Sequence, residues 1–350
     1  MIYSIGPPAL QTMNQQPLEM RRETWCNRFN SKKCFIISHL IGLVFFSVTF
    51  MYTIRNPLRN SPLVQHPKRV NIMLMSFPRS GSSFLGEIFN HHPSVFYLFE
   101  PLQAVQKTFS MDSFFGSNYS SPSYQNKAFN VFEDIYNCKF SGDMFTRYLR
   151  GQSRRHSLAL RSRFCVGNGT STVCQKFKAR QAENVCKNDY IVFAAKILTP
   201  RILNSLGEWN KNLFESCSSN GANECKIIHL VRDPRAVVES LKFLAFFRRS
   251  HDPRRELSWF VEKVCHQMEF DVKIGKLLKR FYPDGYKLIR FEDLARSPLR
   301  VVNELYKFTG VEMLDTIKKW LHETTRVKKG NAYSTSRNSQ QVVSNWRRKI

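Results

Sequence analysis

The sequence predicts an α/β fold in which a parallel sheet lies between two layers of helices, a three-layer domain preceded by a single transmembrane helix. Three observations predict it: short apolar segments alternate with helical patterns, two of these segments run into polar turns, and an uncharged apolar stretch lies near the N-terminus. Buried parallel strands are typically short apolar runs, and their alternation with helices is typical of a layered α/β sheet. The predicted strands are Val70–Met75, Val95–Phe99, Tyr190–Ala195, Lys226–Val231 and Tyr286–Phe291.

Helical patterns separate these strands. Ser82–Asn90 should follow the first strand, and Pro234–Phe247 should follow the fourth, with Pro234 in the first turn where its missing N–H costs nothing. Apolar residues at helical spacing predict a long amphipathic helix from Leu257 to Phe281, and Val301–Phe308 and Leu314–Leu321 predict two more. In such a fold the ligand binds beyond the carboxyl ends of the strands, so a site is expected at that edge.

The stretch Cys34–Ile54 predicts a membrane anchor. Its 21 residues carry no formal charge, and a helix of that length covers about 31 Å, enough to cross the hydrocarbon layer. A cleaved signal peptide is the alternative, but its apolar region would be shorter, nearer the start and followed by a small-residue cleavage site. We therefore expect a cytoplasmic tail over 1–33, a transmembrane signal anchor over 34–54, a lumenal stem over 55–69 and one globular domain over 70–350.

Cysteine usage fits a secretory protein with disulfide bonds. Seven of the nine cysteines follow the predicted anchor, which permits three bridges and one leftover thiol without fixing the pairing. Cys217 and Cys225 flank a Ser/Asn/Gly turn and form the best local pair; a zinc site is the competing interpretation, although no Cys-x-x-Cys spacing occurs. The sequons at Asn118 and Asn168 would be glycosylation acceptors on lumenal loops, which predicts a glycoprotein.

The net charge of +26 predicts attraction to polyanions. A solvated loop is expected for the basic stretch between residues 147 and 163, which lacks clear periodicity, and a surface for an acidic glycan is the alternative. Nucleic acid is disfavoured as a partner because the anchor would place the domain across a membrane from it. The basic residues of this stretch are Arg147, Arg150, Arg154, Arg155, Arg161 and Arg163.

Two segments in which a strand runs through a turn into a helix carry the candidate chemistry. Ser76–Leu85 follows the first strand and Val231–Ser240 follows the fourth. This arrangement directs backbone N–H groups and the positive end of the helix dipole at an anion. The first turn is P-loop-like but lacks the spacing and lysine of a Walker A motif, so a nucleotide kinase fits poorly. Either turn alone would be an ordinary connection, but two turns with arginines predict one ligand with two separate phosphate groups.

At these residues the chain resembles a known family. Pro78–Phe84 is similar to the 5′-phosphosulfate loop of sulfotransferases that use 3′-phosphoadenosine 5′-phosphosulfate (PAPS). Leu230–Val237 resembles their 3′-phosphate segment, in which an arginine and a serine eight residues later bind the phosphate, the spacing of Arg232 and Ser240. Further likeness to the Golgi carbohydrate 6-O-sulfotransferases, which act on galactose, N-acetylglucosamine or N-acetylgalactosamine, lies in Phe96–Leu102, Arg290–Ala295 and Tyr333–Ser339. The resemblance runs from about Val70 to Ile350, where family members continue with a further helical segment.

The resemblance implies a PAPS-dependent enzyme that transfers a sulfuryl group to the 6-hydroxyl of a hexose or N-acetylhexosamine in a glycan or proteoglycan. It implies a single-pass type II Golgi membrane protein with a lumenal catalytic domain, PAPS as co-substrate and no metal; a homodimer is compatible with it. Lys328, Lys329 and Arg337 are further candidates to cover the adenosine or the acceptor. The residues implied to bind PAPS are Arg79, Ser80, Gly81, Ser82, Ser83, Phe84 and Leu85 of the first loop, and Arg232, Asp233, Pro234, Arg235, Ala236, Val237, Val238, Glu239 and Ser240 of the second.

Two residues are expected to be catalytic. Arg79 would stabilise negative charge on the leaving oxygen, because a guanidinium keeps its proton. Related sulfotransferases place a catalytic glutamate at the position of Glu100, which ends the second strand, and we expect Glu100 to be the base for the acceptor hydroxyl. The alternative for Glu100 is a structural carboxylate paired with a nearby arginine. His91 and His92 follow a helix end and are expected to be capping or surface residues rather than metal ligands.

Two other functions remain open from the sequence. A tyrosylprotein sulfotransferase shares the first loop, the glutamate and the Golgi anchor, whereas the segments Phe99–Leu102 and Arg232–Arg235 favour the carbohydrate group. A catalytically inactive glycan-binding relative belongs to a different class, and the intact Arg79, Glu100 and Arg232 argue against it.

Overall fold

A computed structural model of the chain describes residues 68–109, 119, 121–142, 148, 156–167, 173–175, 178–202, 209–219, 221–242, 253–327 and 334–348. The predicted anchor Cys34–Ile54 and the asparagines of both sequons, Asn118 and Asn168, lie outside these residues. Among the helices that the structure does describe, none combines the length and the apolar composition that a bilayer crossing needs.

Parallel strands form the centre of the domain. In chain order the described strands are β1 Val70–Ser76, β2 Val95–Phe99, β3 Cys165–Val166, β4 Val173–Cys174, β5 Val192–Leu198, β6 Glu224–Val231 and β7 Tyr286–Arg290. The main sheet has the order β2-β5-β1-β6-β7 and is parallel throughout, while β3 and β4 form a separate antiparallel pair. In this sheet Ser76 at the end of β1 pairs with Leu198 on one side and Leu230 on the other, so the carboxyl ends of three strands are level.

Helices connect the strands and cover the sheet. The described helices are α1 Ser82–Asn90, α2 Gln103–Thr108, α3 Pro122–Tyr136, α4 Leu158–Phe164, α5 Ala179–Asn188, α6 Trp209–Cys217, α7 Pro234–Lys242, α8 Pro253–Phe281, α9 Phe291–Arg296, α10 Pro298–Thr309, α11 Asp315–Thr324 and α12 Ser339–Ser344. Short 3-10 turns cover Thr199–Arg201 and Asn345–Arg348.

The hydrophobic core lies in two layers because alternate residues of a strand point to opposite faces. Ile72 and Leu74 of β1 pack in a buried cluster with residues of α1, α9, α10 and α11. Met73 and Met75 of the same strand pack in another with residues of α3, α5, α6 and α8. The predicted three-layer arrangement of a parallel sheet between helices is therefore confirmed.

Three disulfides join elements of the described part of the chain. Cys138, two residues after α3, is bonded to Cys186 of α5, Cys165 of β3 to Cys174 of β4, and Cys217 of α6 to Cys225 of β6. Of the cysteines in the described part of the chain, Cys265 is free and exposed. The predicted three bridges with one leftover thiol, and the predicted pair of Cys217 and Cys225, are confirmed.

The predicted strands are all present, with the third displaced to Val192–Leu198. The helix predicted over Pro234–Phe247 is described as far as Lys242. The prediction of a loop across the basic stretch is wrong for residues 158–164, which form helix α4. This helix forms because the Ser157 hydroxyl accepts a hydrogen bond from the Leu160 N–H, and Leu160 and Phe164 are buried.

The two histidines after α1 differ from each other. His91 is the C-cap of α1, as expected, and its backbone N–H donates to the Glu87 carbonyl. His92 is buried rather than on the surface, and its Nδ1 accepts from the Ser94 N–H. His92 is therefore not a surface residue, because its ring packs edge-on against Tyr306, but its backbone N–H caps the helix by donating to the Phe89 carbonyl.

Candidate functional site

The first loop turns tightly between β1 and α1. Arg79 and Gly81 both have positive φ, 66° and 93°, and α1 begins at the next residue, Ser82. A Cβ at position 81 would overlap the ring of Phe291, so glycine is required there both for its backbone conformation and for the close approach. The turn places the N-terminus of α1, with its unsatisfied N–H groups, at the carboxyl edge of the sheet.

Two hydroxyls of the first loop, those of Ser76 and Ser80, are buried without a hydrogen-bond partner among the described residues. An unsatisfied buried hydroxyl costs about 1–3 kcal/mol. The same loop presents the N-terminus of α1, where backbone N–H groups and the positive end of the helix dipole favour an anion.

The second loop is bonded to the first. Arg232, the residue after β6, donates from Nη1 to the backbone oxygen of Arg79 over 2.9 Å. Arg79 in turn donates from Nε to the hydroxyl of Ser240 on α7 over 3.0 Å. The structure thus brings the three residues that the sequence assigned to two different phosphates into one hydrogen-bonded group.

This group carries concentrated positive charge. The pKa of Arg232 is lowered to about 10, mainly by burial and also by the neighbouring guanidiniums of Arg79 and Arg337, while the charge of Glu292 opposes the shift. The Nε of Arg232 is buried without a hydrogen-bond partner in the described part of the chain, and its guanidinium stacks on Phe291 at 4.5 Å. A bound anion would both pair with this nitrogen and relieve the repulsion between the guanidiniums.

A cavity of about 950 Å³ joins both loops. The sequence-predicted residues that line it are Arg79, Gly81, Ser82, Ser83, Phe84, Glu100, Arg232 and Ser240, and Arg337 lines it as well. Ser80 is fully buried and does not line the cavity, and Leu85, Ala236, Val237 and Val238 are buried in the core. Asp233, Pro234, Arg235 and Glu239 are also outside the walls of the cavity, and the exposed Arg235 pairs with Asp233 at 2.8 Å.

Glu100 sits in this cavity between two buried cations. Its Oε1 is 2.7 Å from Lys196 Nζ and its Oε2 is 2.7 Å from Arg201 Nη1. The side chains of Lys196 and Arg201 are only 2% and 3% exposed. Burial acts to raise the pKa of Glu100, but the charges and hydrogen bonds of Lys196 and Arg201 outweigh it and lower the pKa to about 2.

Lys196 links Glu100 to the first loop. Its ammonium donates to the hydroxyl of Ser83 over 3.2 Å and lies 4.1 Å from the centre of the Phe99 ring. Burial lowers the pKa of Lys196, and the adjacent Glu100 opposes this shift. Arg201 is held on its other side by Gln106, whose Oε1 accepts from Arg201 Nε over 2.8 Å.

Lys196 and Arg201 were not predicted from the sequence. The available signal was a single lysine inside the apolar strand Val192–Leu198, since a lysine is almost never fully buried unless it is paired. The order of strands explains the geometry: Arg232 follows β6, Arg79 follows β1, Lys196 lies in β5 and Glu100 follows β2. These four side chains therefore form a row across the carboxyl edge of the sheet.

Comparison with known proteins identifies the family. Residues 69–350 match the family model described as "Sulfotransferase domain". The chain is 30% identical over 315 residues to mouse carbohydrate sulfotransferase 5, covering 80% of this chain and 75% of the relative. It is 29% identical over 312 residues to human carbohydrate sulfotransferase 6, and this match also covers 80% of this chain and 75% of the relative.

Solved sulfotransferase structures are also similar. One is the sulfotransferase domain from the curacin biosynthetic pathway, with a TM-score of 0.41 and 17% identity over 80% of this chain and 90% of that one. Another is mouse sulfotransferase SULT7A1 complexed with PAP, with a TM-score of 0.38 and 13% identity. That match covers 80% of this chain and 77% of the other. From the family model and the sequence relatives, the chain belongs to the sulfotransferase family, among the carbohydrate sulfotransferases.

Proposed function

We propose that this protein transfers the sulfuryl group of PAPS to the 6-hydroxyl of a hexose or N-acetylhexosamine in a glycan, as a type II membrane protein of the Golgi with a lumenal catalytic domain. The observation that carries the proposal is the row of Arg232, Arg79, Lys196 and Glu100 in one cavity. The row joins a strongly cationic anion site to a carboxylate, as transfer from an anionic donor to a hydroxyl requires. The names of the sequence relatives support a carbohydrate acceptor.

The residues of the two loops fit PAPS. The first loop would hold the 5′-phosphosulfate with the N–H groups at the start of α1 and the side chain of Ser83, which lines the cavity. Arg232 would hold the 3′-phosphate with its unpartnered Nε, together with Ser240. When bound, PAPS supplies the sulfuryl group, and adenosine 3′,5′-bisphosphate (PAP) is what remains.

Arg79 and Lys196 would stabilise the charge that grows during transfer. Lys196 donates to Ser83 in the first turn of α1, so its ammonium is within reach of the oxygens around the transferred group. Fixed cations in a site shielded from water stabilise such charge more strongly than water does. By analogy with phosphoryl transfer, positioning and electrostatic stabilisation supply most of the catalysis.

Glu100 would hold the acceptor hydroxyl and receive its proton. A carboxylate with a pKa near 2 is a weak base, and it becomes a stronger one when a neighbouring cation turns toward another anion. The pairing of Glu100 with Arg201 and Lys196 is also what a structural carboxylate would show, so the two roles need an experiment to separate them.

The disulfides give separate support to the proposed lumenal location of the catalytic domain. Three disulfides are expected in a protein that folds in an oxidising lumen and are rare in the cytosol. The uncharged stretch Cys34–Ile54 would provide the anchor, which makes residues 70–350 the catalytic domain.

Sulfuryl transfer from radiolabelled PAPS to a panel of acceptors tests the proposal. The panel would contain galactose-, N-acetylglucosamine- and N-acetylgalactosamine-terminated glycans and a tyrosine-containing acidic peptide. We expect label on the glycans, with disaccharide analysis placing it on the 6-hydroxyl. Label on the peptide alone would indicate a tyrosylprotein sulfotransferase, and PAP binding without any transfer would indicate an inactive relative.

A further inference from the structure

The cavity has a side that the proposed binding of PAPS does not use. The two loops that would hold the nucleotide follow β1 and β6, whereas β2 is the edge strand at the opposite end of the sheet order. With strands about 4.8 Å apart, the end of β2 lies about 10 Å from that of β1 and about 14 Å from that of β6. Three lining residues belong to this side: Phe99 at the end of β2, Gln103 at the start of α2, and His156 just before α4.

His156 is fixed at the cavity wall by the end of α1. Asn90 donates from Nδ2 to the His156 carbonyl over 2.8 Å and accepts from the Leu158 N–H over 2.9 Å. The imidazole of His156 stacks on Phe99, with ring centres 4.4 Å apart and planes 23° apart. Asn90 is itself buried, so both the backbone and the ring of His156 are held in place.

Gln103 lines the same side of the cavity and carries a hydrogen-bond acceptor, its side-chain carboxamide oxygen. Its carboxamide oxygen is buried and has no hydrogen-bond partner in the part of the chain that the structure describes. Its backbone N–H donates to the Glu100 carbonyl over 2.9 Å, which ties Gln103 to the carboxylate residue. A hydroxyl group of a ligand beside Glu100 could donate to this oxygen.

We propose that His156, Phe99 and Gln103 form the subsite that orients the acceptor sugar, an inference that rests on the proposed function. Lys196 Nζ lies over the Phe99 ring and His156 stacks on that ring, so the aromatic surface offered to a sugar is the imidazole of His156. Its π electrons attract the weakly positive C–H hydrogens on one face of a pyranose ring. The Gln103 oxygen accepts a hydrogen bond from a ring hydroxyl. Together they direct the reacting hydroxyl at Glu100.

Acceptor kinetics of two single variants test this assignment. For His156→Ala and Gln103→Ala of the full chain, we expect the acceptor KM to rise about 3–10-fold each. This is the change expected from the loss of one stacking contact or one neutral hydrogen bond. The KM for PAPS and the calorimetric Kd for PAP should stay within about 2-fold, because neither residue lies on the nucleotide side. His156→Phe, which keeps the ring, should recover part of the loss.

Matched controls are His266→Ala on α8, where the histidine side chain is 72% exposed, and Gln181→Ala on the surface of α5. Neither control should change the acceptor KM. The assignment is overturned if His156→Ala and Gln103→Ala leave the acceptor KM unchanged, or if they weaken PAP binding as much as acceptor binding.

A binding measurement separates this inference from the proposed function. Saturation-transfer NMR would use the PAP-loaded chain with the methyl glycosides of galactose, N-acetylglucosamine and N-acetylgalactosamine as probes. Sugar binding that the two variants weaken, without turnover in wild type, would support the subsite and contradict the proposed function. Turnover in wild type with unaltered sugar binding in the variants would contradict the subsite alone. Neither binding nor turnover with any sugar would contradict both.

Discussion

The Arg79 guanidinium donates a hydrogen bond to the Ser240 hydroxyl over 3.0 Å, across 161 residues of sequence. Arg232 completes the link by donating to the Arg79 carbonyl over 2.9 Å. The two loops are therefore joined into one hydrogen-bonded unit.

Replacing Arg79 tests the charge that this unit supplies. We expect Arg79→Ala to lower kcat by about 10²-fold or more, as for the loss of one donor to a developing oxyanion. Radiolabel transfer under saturating PAPS measures it. Arg300→Ala is the matched control, because Arg300 is exposed on α10 and pairs only locally with Glu304 among the described residues. Near-normal turnover of the Arg79 variant would show that Arg79 does not stabilise the leaving oxygen.

Replacing Arg232 tests the assignment of the 3′-phosphate. Arg232→Ala should raise the Kd for PAP by about 10-fold or more, since a hydrogen bond to a charged group is worth about 1.5–3 kcal/mol. Binding of adenosine 5′-phosphate, which has no 3′-phosphate, should weaken much less. Isothermal titration calorimetry with both nucleotides gives the comparison. Equal losses for the two would mean that Arg232 acts only through its bond to Arg79.

Replacing Glu100 separates its catalytic role from its structural one. Glu100→Gln should abolish transfer while leaving PAP affinity largely intact, if Glu100 receives the proton. It should also lower the free energy of unfolding by about 3 kcal/mol or more, because Lys196 and Arg201 would lose their buried counter-charge.

The double variant Glu100→Gln with Lys196→Met distinguishes these effects, since it removes one of the uncompensated charges. We expect it to recover part of the stability measured by urea unfolding but none of the activity. A Glu100→Gln variant that is destabilised yet still transfers label would make Glu100 a structural carboxylate.

A second buried carboxylate, Asp271 on α8, should make stability depend on pH. The Asp271 carboxyl is bonded to the Thr199 hydroxyl and to Gln267 Nε2, and burial raises its pKa from 3.8 to about 7. The folded protein therefore holds a proton that the unfolded chain releases near pH 4. The resulting stabilisation is complete below the unfolded pKa and is lost as the pH rises to 7.

Asp271→Asn keeps the shape and both hydrogen bonds but cannot ionise. It should match wild type in unfolding free energy at pH 4 and exceed it at pH 8, by up to about 4 kcal/mol. Urea unfolding at both pH values measures this, with the exposed Asp284→Asn as control. A difference between variant and wild type that stays constant from pH 4 to pH 8 would contradict the buried-proton explanation.

The sequence predicted the strands and both loops because their signals are local. An apolar run followed by Pro-Arg-Ser-Gly-Ser-Ser or Arg-Asp-Pro-Arg specifies a strand, a turn and a helix start within a few residues. The sequence also correctly predicted that Glu100 lies at the carboxyl edge of the sheet, since that residue directly follows a strand.

The partners of Glu100 depend on tertiary structure instead. Lys196 reaches Glu100 because β5 lies between β1 and β2, an order that differs from the chain order. Arg201 reaches it because a 3-10 turn, Thr199–Arg201, bends the chain after β5. Helix α4 was missed because the charges of Arg161 and Arg163 obscure the apolar positions Leu160 and Phe164, which hold the helix against the core. His156 was missed because its contact with Phe99 joins residues 57 positions apart.

Calorimetric titration of the purified full chain with PAP tests the central claim most directly, with near-UV circular dichroism confirming a folded protein. We expect saturable binding at a 1:1 ratio that is lost in a double variant of Arg79→Ala and Arg232→Ala. Absence of any binding heat from the folded wild-type chain at several temperatures, or equal binding by the double variant, would contradict it.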